Sequence, residues 1–391
     1  MNRAPYSVRV AGGDVGPFGR FPDLLMQDLA RPVVEAALRD AGIDQSDLGA
    51  AYVGNGFGGL IQGQETILGQ LLLAEAGIHS IPIHNVKNAC SSSADAMALA
   101  WSAVAYGQYD CVLVLGVEKM THADRHRAIQ ALASAADRSP PSPERSVFMD
   151  LHAQRALKYM AQHGATPRHF ALVAAKNRRH ASLNPRAAER DLRSADDILQ
   201  DKMVVEPLTR GMCGGICDGA AAVVLVSAEF ARRRGIGGPV VAASAVVSGQ
   251  HARGDTPGTN ATARAARAAF ETAGISPSEV SLAEVHDPTA PQELLDLEDL
   301  GLIGRGEAIA LVERGDTSLG GRLPVNVSGG LISRGHPVGA TGLAQIVELS
   351  RQLTGRAGPS QVPSARVGLA QMAGGVLGDD SAVAVVHLLH S

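Results

Sequence analysis

Twice in this chain a reactive residue stands at the head of a helix built mostly from small residues, and an apolar strand follows. The first copy is "ACSSSADAMALAWSAV" at 89–104, led by Cys90 and followed by "CVLVLGV" at 111–117. The second is "GHPVGATGLAQIVELS" at 335–350, led by His336 and followed by "ARVGLAQMAGG" at 365–375. Small side chains let such helices pack closely. The parallel hints at two related α/β halves, each offering one helix N-terminus to a shared site.

The rest of the chain fits that frame. A strand is expected over 6–11, then a helix from about Asp23 with a break near Pro32 and a stop at Gly42. "CVLVLGV" is continuously apolar, which suggests a parallel sheet covered on both faces. Residues 120–210 change character, with "RSPPSPERS" and amphipathic helical segments, and read as an insertion or lid. Strands return at "AAAVVLVS" and "PVVAASAVVSG", and the last two strands are expected to join through a glycine turn at Gly374 and Gly375. The organisation that follows is an N-terminal half at 1–119, an insertion at 120–245 (holding that half's last strand near 219–228), and a C-terminal half at 246–391.

Composition excludes several classes. A net charge of −4 over 391 residues gives no electrostatic case for nucleic acid or an anionic membrane. There is no apolar run of transmembrane length and no signal peptide at the N-terminus. The four cysteines, Cys90, Cys111, Cys213 and Cys217, are too sparse for a disulfide framework, and none pairs with histidine at zinc spacing. A reducing, cytoplasmic setting and no metal are expected.

Three residues carry candidate chemistry. A cysteine at a helix N-terminus gains thiolate character from the helix dipole and unpaired N–H groups, which can also hold an oxyanion. The local alternative for Cys90 is a buried apolar cysteine opening a core helix. His336, between glycine and proline, is placed to take the proton of Cys90; the alternative is a loop histidine bound to backbone. His286, in "AEVHDPTAPQE", falls at a strand end, where sites gather in α/β folds. An N–H near Gly374 is a further oxyanion donor, a plain hairpin being the alternative. His152, His163 and His180 lie in the insertion and read as surface residues.

Five ordered blocks resemble the thiolase superfamily, and within it the sterol-carrier-protein-2 type: "VRVAGGDVGPFGR", "NACSSSADA…CVLVLGVEKM", "KNRRHASLNP" with "MCGGICDGAAAVVLV", "EVHDPTAPQELLDLEDLGL", and "NVSGGLISRGHPVGATGLAQ". The resemblance implies an α/β thiolase fold, two similar halves in five layers (α-β-α-β-α) with an inserted loop domain, and a homodimer. It implies that Cys90 accepts the acyl group and His336 activates it. His286 would help form one oxyanion hole, and the N–H groups of Cys90 and Gly374 the other. The substrate would be a coenzyme A or acyl-carrier thioester with no bound cofactor. A small zinc-ribbon/OB-fold protein is the partner such relatives often have.

One departure redirects the chemistry. The family's second cysteine moves a proton at the α-carbon of the attacking thioester, and its two possible positions hold Met372 and Pro288 here. Neither accepts a proton, and general acid–base catalysis is worth about 10²–10⁴-fold. Degradative thiolysis is therefore not expected. A biosynthetic acyltransferase that passes the acyl group to another acceptor is the leading reading. The alternatives are a C–C lyase of the aldolase type on CoA thioesters and a non-catalytic thioester-binding subunit. Cys111, Cys213 and Cys217 fall in blocks not expected at the site.

Overall fold

The computed structural model describes residues 6–124, 126–137, 146–251 and 258–391. The N-terminal half contains strand β1 (Val8–Val15), helix α1 (Met26–Ala41), β2 (Ala50–Gly54), α2 (Gly58–Gln62), α3 (Leu68–Ala74), β3 (Ile83–Val86), α4 (Ser92–Ala105) and β4 (Cys111–Glu118). Helices α5 (His126–Ala133), α6 (Val147–His163), α7 (Pro167–Ser182) and α8 (Ala195–Leu199) follow, with a small hairpin, β5 (Met203–Val205) and β6 (Leu208–Thr209). The chain then rejoins the first half at β7 (Gly219–Ser227) and α9 (Ala228–Arg234). The second half contains β8 (Val240–Ser248), α10 (Ala261–Ala273), β9 (Leu282–Glu284), α11 (Ala290–Asp299), α12 (Ala308–Arg314), α13 (Thr341–Leu353), β10 (Val367–Leu377) and β11 (Asp380–His390).

Strand pairing shows the internal repeat that the sequence only hinted at. In the first half β1 runs antiparallel to β7, β7 antiparallel to β4, and β4 parallel to β2. In the second, β8 runs antiparallel to β11, β11 antiparallel to β10, and β10 parallel to β9. The outer edge of β2 takes β3 in parallel, while that of β9 takes Val325 through a single parallel bridge to Ala283. Thus α4 and α13 occupy equivalent places, each running into the third strand of its half. The two sheets meet where Arg9 pairs with Val240, giving the continuous order β3-β2-β4-β7-β1-β8-β11-β10-β9.

The five layers follow from which faces are apolar. Helix α1 covers the outer face of the first sheet, with Ala30, Val33 and Val34 against Leu113, Leu115 and Val224. Helices α4 and α13 fill the space between the sheets, with Ala96, Met97 and Ala100 clustered with Leu343, Ile346 and Val347. Helix α10 packs on the far face of the second sheet, against β8 and β11. Close packing in the middle layer needs small residues: a Cβ added at Gly342 would stand 2.7 Å from the Ala94 nitrogen.

Three expectations need correction. Pro32 does not break α1, because the proline faces solvent and the buried row Leu29, Ala30, Val33, Val34 and Ala37 holds the helix across the missing hydrogen bond. Gly42 does end it, in a left-handed cap with φ +64°. The sheet is mixed rather than parallel. Gly374 and Gly375 lie inside β10, opposite Val383 in the case of Gly374, and the turn is at Gly378–Asp379.

Candidate active site

The nucleophile loop sits between the end of β3 and α4. Ala89, just before Cys90, has φ +49°, a left-handed conformation that a residue with a side chain adopts only when its surroundings hold it. The hold is a small network: the Asn88 N–H donates to Ser92 Oγ (2.9 Å), and Ser92 Oγ–H donates to the Ala89 carbonyl (2.7 Å). Gly54 at the end of β2 lets the loop descend, since a Cβ there would come within 2.5 Å of Ser93 Cα. Gly116 in β4 does the same for the histidine loop, where a Cβ would lie 2.5 Å from the Gly339 carbonyl.

Glu118 ties the loop after β2 to the histidine loop. Its buried carboxylate accepts from the N–H groups of Gly56 (2.8 Å), Phe57 (3.2 Å) and Gly339 (3.1 Å). Burial pushes its acid up to about 7, and the same N–H donors hold it down from going higher. Nothing in the local sequence singled out this residue.

The structure brings Cys90, His286 and His336 together, with Sγ and a ring nitrogen of each histidine all within 4.8 Å of one another. The two imidazoles meet edge to face, their centroids 5.5 Å apart. The Thr341 hydroxyl donates to the Pro337 carbonyl at 2.9 Å, so its oxygen accepts from His336 Nδ1–H at 2.8 Å. That assigns the tautomer: Nε2 of His336 is unprotonated, buried and without a partner among the described residues. Nε2 of His286 is likewise buried and unpartnered. The His286 main-chain N–H is fixed by Gln371 Oε1 at 2.8 Å.

In the resting site the proton stays on the sulfur rather than passing to His336. Burial pushes the Cys90 thiol up to about 12, and the Glu118 charge adds to it. Burial pushes His286 down to about 3, with Arg155 adding, and holds His336 well below the usual imidazole range. Desolvation outweighs the helix dipole because Cys90 lies two residues before the first helical position, and the N–H groups of Ser91 and Ser92 already bond the turn. The site rests as neutral thiol and neutral imidazoles.

A cavity of about 540 Å³ leads from these residues to the surface, a volume suited to a small-molecule substrate. Its inner wall includes Met120, Phe148, Met149, Ile332 and Val338, and Arg20 and Arg210 are exposed at its edge. Met372 is 1% exposed and packs in one apolar cluster with Cys90, Phe57 and Ala94. Pro288 lines the cavity. Gly374 lies against the nucleophile loop, where a Cβ would stand 2.5 Å from the Asn88 carbonyl.

Three residues of the insertion, His152, Cys213 and His180, depart from the positions expected of them. His152 is 7% exposed and lines the cavity, held well below the usual imidazole range by burial, then by Arg155 and His286. Its signal was helical spacing, which places it on one face of α6 with Ala156 and Tyr159. Cys213 also lines the cavity, because residues 213–214 pair with 288–289 beside His286. No local feature announces that long-range pairing. His180 is buried too, but both its nitrogens are satisfied, by the Asn326 carbonyl and the Leu319 N–H.

Two family profiles cover the chain: "Thiolase, N-terminal domain" over residues 8–229 and "Thiolase C-terminal domain-like" over 242–387. An acetyl-CoA acetyltransferase of Methanothermobacter thermautotrophicus is 39% identical over 97% of this chain and 98% of its own length. Sterol carrier protein 2 of Bos taurus is 36% identical over 88% of this chain, a match that spans 65% of the bovine protein. Among solved structures, the Ltp2-ChsH2(DUF35) aldolase superposes with a TM-score of 0.81 over 100% of this chain and 99% of the other, at 24% identity, which speaks to the fold. No described helix is long and apolar enough to cross a membrane. With profile matches over both halves and a full-length relative at 39% identity, the chain belongs to the thiolase family.

Proposed function

We propose that the protein is an acyltransferase that takes an acyl group from a coenzyme A thioester onto Cys90 and passes it to an acceptor that needs no α-carbon deprotonation. The observation that carries this reading is the convergence of Cys90 Sγ with two unpartnered imidazole nitrogens at the end of a cavity. As the sulfur attacks the thioester carbonyl, its proton passes to Nε2 of His336. The C–S bond to coenzyme A then breaks, and that proton leaves with the departing thiolate. His286 and the N–H groups of Cys90 and Gly374 are the proposed donors to the carbonyl oxygen. Arg20 and Arg210 offer positive charge where the phosphates of the donor would lie. Met372 and Pro288 argue against enolate chemistry, since neither side chain takes a proton.

The proposed assembly has two copies of the chain and a small zinc-ribbon/OB-fold partner. The support for the partner is that the structural neighbour, the Ltp2-ChsH2(DUF35) aldolase, is itself named for two components.

Intact mass after incubation with acetyl-CoA and longer acyl-CoAs tests the reading. An acyl adduct that disappears in Cys90→Ser supports it. No adduct with any thioester overturns it, and cleavage of an aldol thioester without an adduct would make the protein a lyase. Rapid α-deuterium exchange of acetyl-CoA would contradict the exclusion of enolate chemistry.

A further inference from the structure

Glu118 closes β4 and is 0% exposed. Two other buried acids face a cation: Glu293 meets Lys176 at 2.6 Å, and Asp218 meets Lys119 at 3.7 Å. Glu118 has N–H donors instead. Its Oε2 accepts from the Gly56 N–H at 2.8 Å and the Gly339 N–H at 3.1 Å. Its Oε1 accepts from Asn55 Nδ2 at 3.1 Å and the Phe57 N–H at 3.2 Å. Donors converging on both oxygens leave no place for the acid's own proton, so the arrangement suits the carboxylate. Burial pushes this acid up to about 7, and mildly alkaline solution ionises it. A buried carboxylate held by neutral donors alone is costly to keep.

What the fold gains is geometry, because the donors lead to both reacting residues. Gly339 lies three residues after His336, at the entry of α13. Gly56 lies against both segments. A Cβ there would stand 3.2 Å from the Ala89 carbonyl, just before Cys90, and 3.2 Å from Val338 Cγ1, two residues after His336. The single atom Oε2 therefore joins the segment packed on the nucleophile loop to the histidine loop. Thr341 sets the rotation of the His336 ring. Glu118 sets where the loop beneath that ring stands. Sulfur and ring nitrogen come within 4.8 Å of one another, a separation that a small shift of either loop would spoil.

We infer that Glu118 is a positioning residue for acylation, holding Nε2 of His336 against the sulfur of Cys90 by joining Gly339 to Gly56. The inference rests on the acyl-Cys90 reading. Glu118 does not line the cavity, and it takes no proton in the step. Its role makes one chemical demand, an acceptor on each oxygen. Glutamine has the same shape, but whichever way its amide is turned, its NH2 faces two N–H donors. Aspartate keeps both acceptors and the charge on a shorter stem.

The test is a double-mutant cycle on the full-length protein, read as coenzyme A release in the first turnover of acetyl-CoA in mildly alkaline solution. Glu118→Gln is expected to slow release about 10²-fold at saturating acetyl-CoA, with the half-saturating concentration unchanged. Glu118→Asp should be slowed less. In His336→Ala, adding Glu118→Gln should slow release no further, because Glu118 acts through that imidazole. A substitution that merely loosened the fold would slow both backgrounds alike. If circular dichroism shows Glu118→Gln unfolded, the cycle is run with Glu118→Asp, which should slow only the protein that retains His336.

Release that the Glu118 variant leaves at the natural rate overturns the inference, as does equal slowing with and without His336. A raised half-saturating concentration at an unchanged limiting rate would place Glu118 in donor binding and overturn it too. Each of these outcomes leaves the acyl-Cys90 reading standing. No first-turnover release from the natural protein contradicts that reading itself, and this inference falls with it.

Discussion

Thr341 Oγ1 lies 2.8 Å from Nδ1 of His336, and its own proton is committed to the Pro337 carbonyl. The pair fixes which face of the imidazole is basic. Thr341→Val keeps the shape and removes the acceptor. Losing one such hydrogen bond costs about 1–2 kcal/mol, so acylation by acetyl-CoA should slow roughly 5–30-fold. Thr341→Ser should restore most of the rate. An unchanged rate in the valine variant, read by stopped-flow release of coenzyme A, would remove the tautomer argument.

Gly374 leaves no room for a methyl group against the Asn88 carbonyl and the Ser91 nitrogen. Gly374→Ala should push the nucleophile loop off its position. Overpacking of this kind costs about 1–3 kcal/mol, and thermal unfolding should register it. The acylation rate should fall with it, because the displaced segment carries Cys90. Full activity with an unchanged melting temperature would show that the strand and loop are not in register as described.

The charge state of Cys90 is directly measurable. Burial raises its thiol from 9.0 to about 12, so the thiolate fraction is about 10⁻³ at pH 9 and grows tenfold per unit. Alkylation by iodoacetamide, read on the Cys90 peptide, should keep climbing through pH 9 and above. A plateau near neutral pH would mean that the resting site is an ion pair after all.

His180 tests how the insertion is fastened to the second half. Its Nε2 accepts from the Leu319 N–H at 2.9 Å, so Nδ1–H donates to the Asn326 carbonyl at 3.0 Å. His180→Leu strands both groups and should cost about 1–3 kcal/mol at pH 7.5 in denaturant unfolding. Burial lowers the histidine from 6.5 to about 3. Above pH 6.5 its contribution is therefore fully present. Below that the unfolded chain binds a proton the folded chain refuses, and the contribution falls by about 1.4 kcal/mol per unit until about pH 3. As pH falls through that window the gap between natural protein and variant should close within about 1–2 units and then reverse in sign, and a gap that grows in favour of the natural protein would refute the assignment.

Legibility in the sequence tracked locality. Helices α4 and α13 were readable because small-residue runs and the strands after them are continuous in the chain. Cys90, His286 and His336 were readable because each opens or closes such an element. Pro32 misled because local propensity was outweighed by a buried helix face. The glycine pair at 374–375 misled because its reason is close approach to another segment rather than a turn. Glu118, His152 and Cys213 reach the site through contacts with residues far along the chain. Short-range pattern carries no trace of such contacts, and for His152 the one available clue was its place on a helix face.

The central claim is that a single sulfur, served by His336, holds the acyl group between donor and acceptor. Rapid-quench mixing of the protein with excess acetyl-CoA, reading coenzyme A release in the first turnover, tests it most directly. The account requires a burst of one coenzyme A per chain that is abolished in Cys90→Ser and slowed in His336→Ala. Burst release that survives replacement of the sulfur, or the absence of any burst with an intact Cys90, would contradict it.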